Sequence, residues 1–229
     1  MPKLQEPLRE LFTRSKLLVL NFSEIPGGTP PDESMEQFFI RNTAKDINPR
    51  TPRNRQKFNN RVLAKTNNRY LVSRYAEDRS AMLTGSQIAK EGRTLHLGVD
   101  IFCKDLEAVY APCDGELIRS GNEPENHSFG HFAILRPTDK TLPFIFFGHL
   151  NAERVKLGPV KAGDRIATLG DYIHHENGGW SRHLHIQMIT KLPPGNKAPL
   201  GYSTKEQMTT NLELYPDPLS YFTDWQIEQ

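Results

Sequence analysis

The stretch HLHIQMIT (183–190) decides the fold. Read as a strand, it places His183, His185 and Gln187 on one face and Leu184, Ile186 and Met188 on the other. Two histidines ~7 Å apart on one face of an apolar strand are unusual in an interior. Outward from it, LHLGVDIF (95–102) and PFIFFGHL (143–150) share this texture. So do RYLVSRY (69–75), EAVYAP (107–112), GELIRS (115–120), HFAILRP (131–137) and RIATLG (165–170). Short β-branched and aromatic runs with turn residues between them predict an antiparallel β domain.

Upstream the pattern is different. Leu4, Leu8, Leu11 and Phe12 recur at helical spacing. KLLVLNF (16–22) reads as a short strand and ESMEQFFIRNTAKD (33–46) as a helix that NPRTPR (48–53) breaks. NRQKFNNRVLAKT (54–66) reads as another helix, with Phe58, Val62 and Leu63 inward. The expected class is α+β. A mainly helical, basic segment over 1–68 precedes a compact β domain over 69–229, with LYPDPLSYF (214–222) as its cap.

The chain has 229 residues, of which 37% are hydrophobic and 24% charged, enough for a packed core without staples. Two cysteines, Cys103 and Cys113, exclude a disulfide-dense scaffold or a four-cysteine zinc site, and both read as core. No run approaches the ~18 apolar residues of a membrane span. The start, MPKLQEPLRELFTRSK, lacks a secretory pattern, and a cytoplasmic protein is expected. Residues 41–74 carry ten bases and one acid, a net +9, beside an acidic remainder. That segment is expected to contact an acidic partner or the acidic body itself. It has only Phe58 and Tyr70 as aromatics and no nucleic-acid motif.

The remaining chemistry lies in the histidines. His96-Leu-Gly-Val-Asp100 puts an imidazole four residues before a carboxylate. On a regular strand they stand ~13 Å apart, so either His96 lies in the preceding loop or Gly98 bends the chain. His149 follows Gly148, which permits a turn or a close approach. Two imidazoles and a carboxylate suit Zn²⁺ with an open fourth position, and further histidines beside them suit proton transfer in amide hydrolysis.

HxxxD (96–100), GHL (148–150) and HxH (183–185), with VYAPCDGELI (109–118) and KAGDRIATLGD (161–171), resemble the lysostaphin-type, LytM-like zinc metallopeptidases. The resemblance covers roughly 93–190. It implies a compact antiparallel β fold with a substrate groove and one Zn²⁺ on His96, Asp100 and His185. It also implies His149 and His183 as the catalytic pair. The implied activity is endopeptidase-type hydrolysis of a peptide or muropeptide-like substrate by a metal-activated water. A narrower resemblance, through RYAEDR (74–79), NGGWSRHLHIQ (177–187) and YPDP (215–218), is to the metallopeptidase-like domain of bacterial phosphotransferase–aminotransferase fusion proteins.

Weaker candidates surround these. Tyr75, Glu77 and Arg79 either line the groove, with Arg79 gripping a substrate carboxylate, or form a salt-bridged strand edge. Asn177 and Trp180 either make a groove wall or accompany a Gly178–Gly179 turn. His131 is expected on a strand surface, and His174 and His175 in a surface loop. The alternative function is a catalytically silent metal-binding or docking module with 41–74 as its contact surface.

Overall fold

The computed structural model describes residues 17–20, 51–66, 70–80, 83, 85–173, 176–221 and 227–228. The helices expected before residue 47, and His174 and His175, lie outside the described residues. Strands β1 (Leu17–Leu20), β2 (Tyr70–Ser73), β4 (Val99–Phe102), β6 (Gly115–Glu123), β7 (Gly130–Pro137), β8 (Phe144–Leu150), β9 (Gly158–Val160), β11 (His183–Ile189) and β13 (Ile227–Glu228) form one sheet. Its order is β13-β1-β2-β4-β11-β8-β7-β6-β9. Two short ladders accompany it, β3 (Leu95–His96) with β12 (Tyr202–Ser203) and β5 (Ala108–Tyr110) with β10 (Arg165–Thr168).

From β2 to β9 every pairing is antiparallel, as the alternating runs predict. The other edge departs from that pattern: β1 pairs in parallel with both β2 and β13. Residues 17–20 of KLLVLNF thus supply a strand next to that edge, between β13 and β2.

Alternation along the central strands separates core from site. On β4, Val99 and Ile101 enter the core while Asp100 faces the other way. On β11, Ile186 and Met188 enter it and His183, His185 and Gln187 do not. Ile145, Phe147, Val109 and Ile166 complete that layer. Each such side chain contributes about 1.5–3 kcal/mol on full burial. Beneath the opposite face lies a second cluster of Leu97, Phe129, Phe132 and Phe146. Strand β11 is therefore buried on both faces, which is why its polar residues need partners inside the protein.

Helix α1 (Pro52–Thr66) belongs to the segment read as an appendage, yet it lies against the β domain. Phe58, Leu63, Gln56 and Asn59 are buried, while Arg53, Lys57 and Arg61 face solvent. Gln56 Nε2 donates to the Cys103 carbonyl at 2.9 Å, and Gln56 Oε1 accepts from the Arg182 N–H at 2.6 Å. Asn59 Nδ2 reaches Ser181 Oγ at 3.4 Å. Amide groups, buried apolar residues and the Arg55 guanidinium over Trp180 make this contact. A short helix, α2 (Gln87–Lys90), and α3 (Met208–Leu214) flank the domain. Leu219 and Tyr221, in the turn Pro218–Tyr221, pack on the core.

Candidate active site

His185 stands opposite Asp100 on β4 and opposite Gly148 on β8, so the sheet register alone brings an imidazole beside a carboxylate. His96 joins them because the strand is interrupted: β3 ends at His96 and β4 begins at Val99. Gly98 in the gap is required by contact. A Cβ there would stand 2.4 Å from His185 Cε1 and 2.8 Å from the Ile186 carbonyl oxygen.

The three ligand-type atoms converge. Asp100 Oδ1 lies 2.9 Å from His185 Nδ1 and 3.5 Å from His96 Nε2. The two nitrogens are 3.1 Å apart. A tetrahedral zinc with bonds of about 2.0–2.2 Å has ligand atoms roughly 3.3 Å apart.

Protons do not account for this closeness. Gln187 Nε2 donates to the Leu200 carbonyl at 2.9 Å, which orients the amide so that its Oε1 faces His185 Nε2 at 3.0 Å. His185 Nε2 therefore carries the hydrogen, and its Nδ1 offers a lone pair to the cluster. Burial, followed by the charge of Arg79, pushes His96 well below its usual value and keeps it neutral. A carboxylate oxygen and at least one bare imidazole nitrogen thus meet at van der Waals distance or less, an arrangement that a cation relieves. These residues fit one Zn²⁺ with an open fourth position.

Asp100 Oδ2 receives Arg79 Nη1 at 2.5 Å, and Arg79 Nε donates to Glu77 Oε1 at 2.7 Å. Arg79 is 3% exposed. Arg79 thus lines the cavity as the partner of a ligand, and the salt-bridged alternative describes its contacts. Its two carboxylate partners hold it there and leave it unsuited to grip a third. The structure corrects the groove-lining reading of Tyr75: its hydroxyl donates to the Tyr215 carbonyl, tying RYAEDR to YPDP away from the cavity.

His149 and His183 stand beside the cluster with ring centroids 4.1 Å apart. His183 Nε2 is 3.7 Å from Asp100 Oδ1. His149 Nδ1 donates to the Asn177 carbonyl at 2.9 Å, and His183 Nδ1 to the Ser181 carbonyl at 2.7 Å. Carbonyls only accept, so both rings carry their hydrogen on Nδ1 and leave Nε2 bare. Burial pushes His149 well below its usual value and His183 down to about 4. His149 has φ +62°, a left-handed backbone that non-glycine residues adopt at a cost of roughly 1–3 kcal/mol. The bend expected at Gly148 therefore falls on His149 itself. Gly148 serves close approach, since a Cβ there would lie 2.9 Å from Phe129 Cδ1.

Asn177 is fully buried and organises the loop before β11. Its Nδ2 donates to the Gly170 and Trp180 carbonyls, and its Oδ1 accepts from the Gly179 and Trp180 N–H groups. It orients His149 through its backbone and is no part of the wall. Trp180 is part of it, lining a cavity of about 320 Å³ that also holds His96, Asp100, His149, His183 and His185. His131 lies outside that cavity. Cys103 and Cys113 are buried thiols, and burial pushes that of Cys113 up to about 11.

Three residues of the cavity were not singled out from the sequence. Tyr202 lies against His96 with ring centroids 5.4 Å apart. His127 approaches Trp180 edge-on at 5.1 Å from a backbone with φ +68°. Arg55 arrives from helix α1, its guanidinium carbon 4.9 Å from the Trp180 ring centroid. None had a signal in sequence, because each arrives from a distant segment.

Residues 94–197 match the model of peptidase family M23. No curated protein matches the chain. Among solved structures, the catalytic domain of the antimicrobial peptidase lysostaphin from Staphylococcus simulans is 24% identical, with a TM-score of 0.41, over 57% of this chain and 81% of that one. A zinc-containing peptidase from Vibrio cholerae is 25% identical, TM-score 0.35, over 47% of this chain and 31% of that one. A putative glycyl-glycine endopeptidase lytM from Ruminococcus gnavus is 19% identical, TM-score 0.38, over 69% and 57%. Likenesses this loose lend no weight to the assignment, which rests on the family match and the ligand geometry. Residues 94–197, which contain His96, Asp100, His149, His183 and His185, are a zinc metallopeptidase domain of peptidase family M23.

Proposed function

We propose that the chain cleaves a peptide or amide bond within a short peptide, in the manner of an endopeptidase acting on peptidoglycan-derived or other small cytoplasmic peptides. The observation that carries this reading is the meeting of a three-atom zinc cradle with two bare imidazole Nε2 atoms in one cavity. Zinc, when bound, polarises the scissile carbonyl and makes water acidic. His96, Asp100 and His185 hold it, Gln187 fixing the His185 tautomer and Arg79 fixing the carboxylate. Nε2 of His149 or His183 takes a proton from water and returns it to the leaving amine. Once protonated, the same atom donates to the developing oxyanion. The carbonyls of Asn177 and Ser181 keep both rings aimed throughout.

A cytoplasmic setting is part of the proposal. Its supports are the two buried thiols, Cys103 and Cys113, and the resemblance of RYAEDR, NGGWSRHLHIQ and YPDP to the cytoplasmic fusion proteins. Among the described residues no helix is long and apolar enough to cross a membrane.

The test begins with elemental analysis of protein purified without added metal. About one equivalent of zinc is expected, lost in His185→Ala. A panel of short peptides and muropeptides is then assayed. His149→Ala should retain zinc and lose about 10²–10⁴-fold in kcat. Zinc-loaded protein that cleaves nothing in the panel overturns hydrolysis and leaves the silent binding module.

A further inference from the structure

Three arginines line the active-site cavity; Arg93, partly exposed, pairs with Glu91, and the other two differ in one respect. Arg79 is held by two carboxylates, Glu77 and Asp100. Arg55 is 8% exposed, and among the described residues no carboxylate pairs with it. Its Nε is buried without a hydrogen-bond partner. Burial pulls the guanidinium down to about 10, offset in part by the Tyr202 phenol nearby. A buried, unpaired cation is costly for a fold to keep. Trp180 offsets part of that cost, since the guanidinium lies over its ring.

The position of Arg55 is fixed from both sides. One residue along α1, Gln56 is bonded to the Cys103 carbonyl and the Arg182 N–H. Trp180 is itself held by Asn177, whose carbonyl orients His149. The guanidinium is thus set on the same loop that positions a residue beside the zinc cradle. Arg55 also lies outside residues 94–197, so it is a feature of this chain's N-terminal segment and not of the matched domain.

From this, we infer that Arg55 is the receptor for a carboxylate of the peptide substrate, making the site selective for peptides that carry a free carboxylate near the cleaved bond. This rests on the proposed peptide hydrolysis. A guanidinium fork matches a carboxylate with two parallel N–H···O bonds, and an anion seated there supplies the missing partner. Glu123 and Glu125 line the cavity together with Arg93 and Lys197, and a peptide substrate offers a carboxylate rather than a phosphate. The carboxylate belongs either to the chain terminus or to an acidic side chain. Arg55 binds and positions it, with no bond made or broken there.

The experiment is calorimetric titration of the full chain, both metal-free and zinc-loaded. The probes are N-acetyl-tetra-alanine as the free acid, its C-terminal amide, and the amide with one alanine replaced by glutamate. The acid is expected to bind about 10–100-fold more tightly than the amide in both forms, as charge-assisted hydrogen bonds to one guanidinium allow. Persistence in the metal-free form shows that zinc is not the anion receptor. Arg55→Met should collapse the ratio to near one, and Arg55→Lys should keep part of it. Tight binding of the glutamyl amide assigns the carboxylate to a side chain, and tight binding of the acid alone assigns it to the terminus. Acid and glutamyl amide both binding no more tightly than the plain amide, or an undiminished preference in Arg55→Met, overturns the inference. Should Arg55→Met fail to fold by circular dichroism, the wild-type ratio and Arg55→Lys decide. A chain that holds zinc and cleaves peptides without regard to carboxylates drops this inference and keeps the proposed function. One that binds the acid through Arg55 but cleaves nothing does the reverse.

Discussion

At Gly98 the absent side chain matters more than most side chains present in the site. The His185 ring occupies the space a methyl group would take, at 2.4 Å from Cε1 and 2.6 Å from Nε2. Gly98→Ala must displace the ring from Gln187 and from the zinc cradle together. Zinc affinity should fall about 100-fold, in line with losses on disturbing outer-shell contacts. The Ile186 carbonyl, 2.8 Å from the same point, belongs to backbone and yields less easily. Stability should therefore also drop by about 1–3 kcal/mol. Competition with a chromophoric chelator measures the first effect and urea denaturation the second. An alanine variant with wild-type zinc affinity would refute the cradle as drawn. The HxxxD spacing raised two possibilities for this point, a loop or a bend. The structure contains an element of each, because β3 ends before the glycine and β4 starts after it.

Among the elements, two motifs far apart in sequence are joined by one carboxylate. Asp114, between β5 and β6, accepts the Ala162 N–H and Lys161 Nζ, each at 2.9 Å, from the turn between β9 and β10. The backbone bond from Ala162, followed by Lys161, pulls its pKa below the ordinary 3.8. A carboxylate depressed in the folded state contributes stability above its unfolded pKa. That contribution fades as pH falls through the lower, folded value. Asp114→Asn should hence lower the urea midpoint at pH 7 and narrow its gap to the wild type at pH 3. Equal gaps at both pH values would remove the ionised form from the explanation. The alternating strands themselves were legible from HLHIQMIT and its neighbours, because side chains on a strand change face at every residue. The parallel pairing of β1 was not, since a four-residue apolar run carries no information about its partner.

Over the whole molecule, the consequential contact is helix α1 against the loop before β11. Gln56 satisfies one backbone acceptor and one backbone donor of the domain, so removing it strands buried groups. Gln56→Ala in the full chain should cost about 1–3 kcal/mol in urea denaturation at an unchanged m-value. A neutral result would show that α1 is not anchored through this residue. The +9 charge of 41–74 offered a contact by charge, while the described part of that segment docks through amides, apolar groups and Arg55 on Trp180 and leaves four cations in solvent. Long-range docking depends on shape and hydrogen-bond matching between distant segments, and net charge reports neither.

The sequence by itself determined the β alternation, which follows from residue type and strand period, while its resemblance to the lysostaphin-type peptidases implied the zinc ligand set and the two spare histidines. Only the tertiary structure decided which polar groups support them. Arg79 and Asn177, both read as groove candidates, turned out to hold a ligand and a histidine. Tyr75 left the site for the C-terminal segment, while Arg55, Tyr202 and His127 entered it unannounced. The physical reason is that a strand's own geometry sets which residues share a face. What stands opposite that face is chosen by packing between segments 40 to 150 residues apart, through contacts such as Arg55 on Trp180 and Tyr75 on Tyr215.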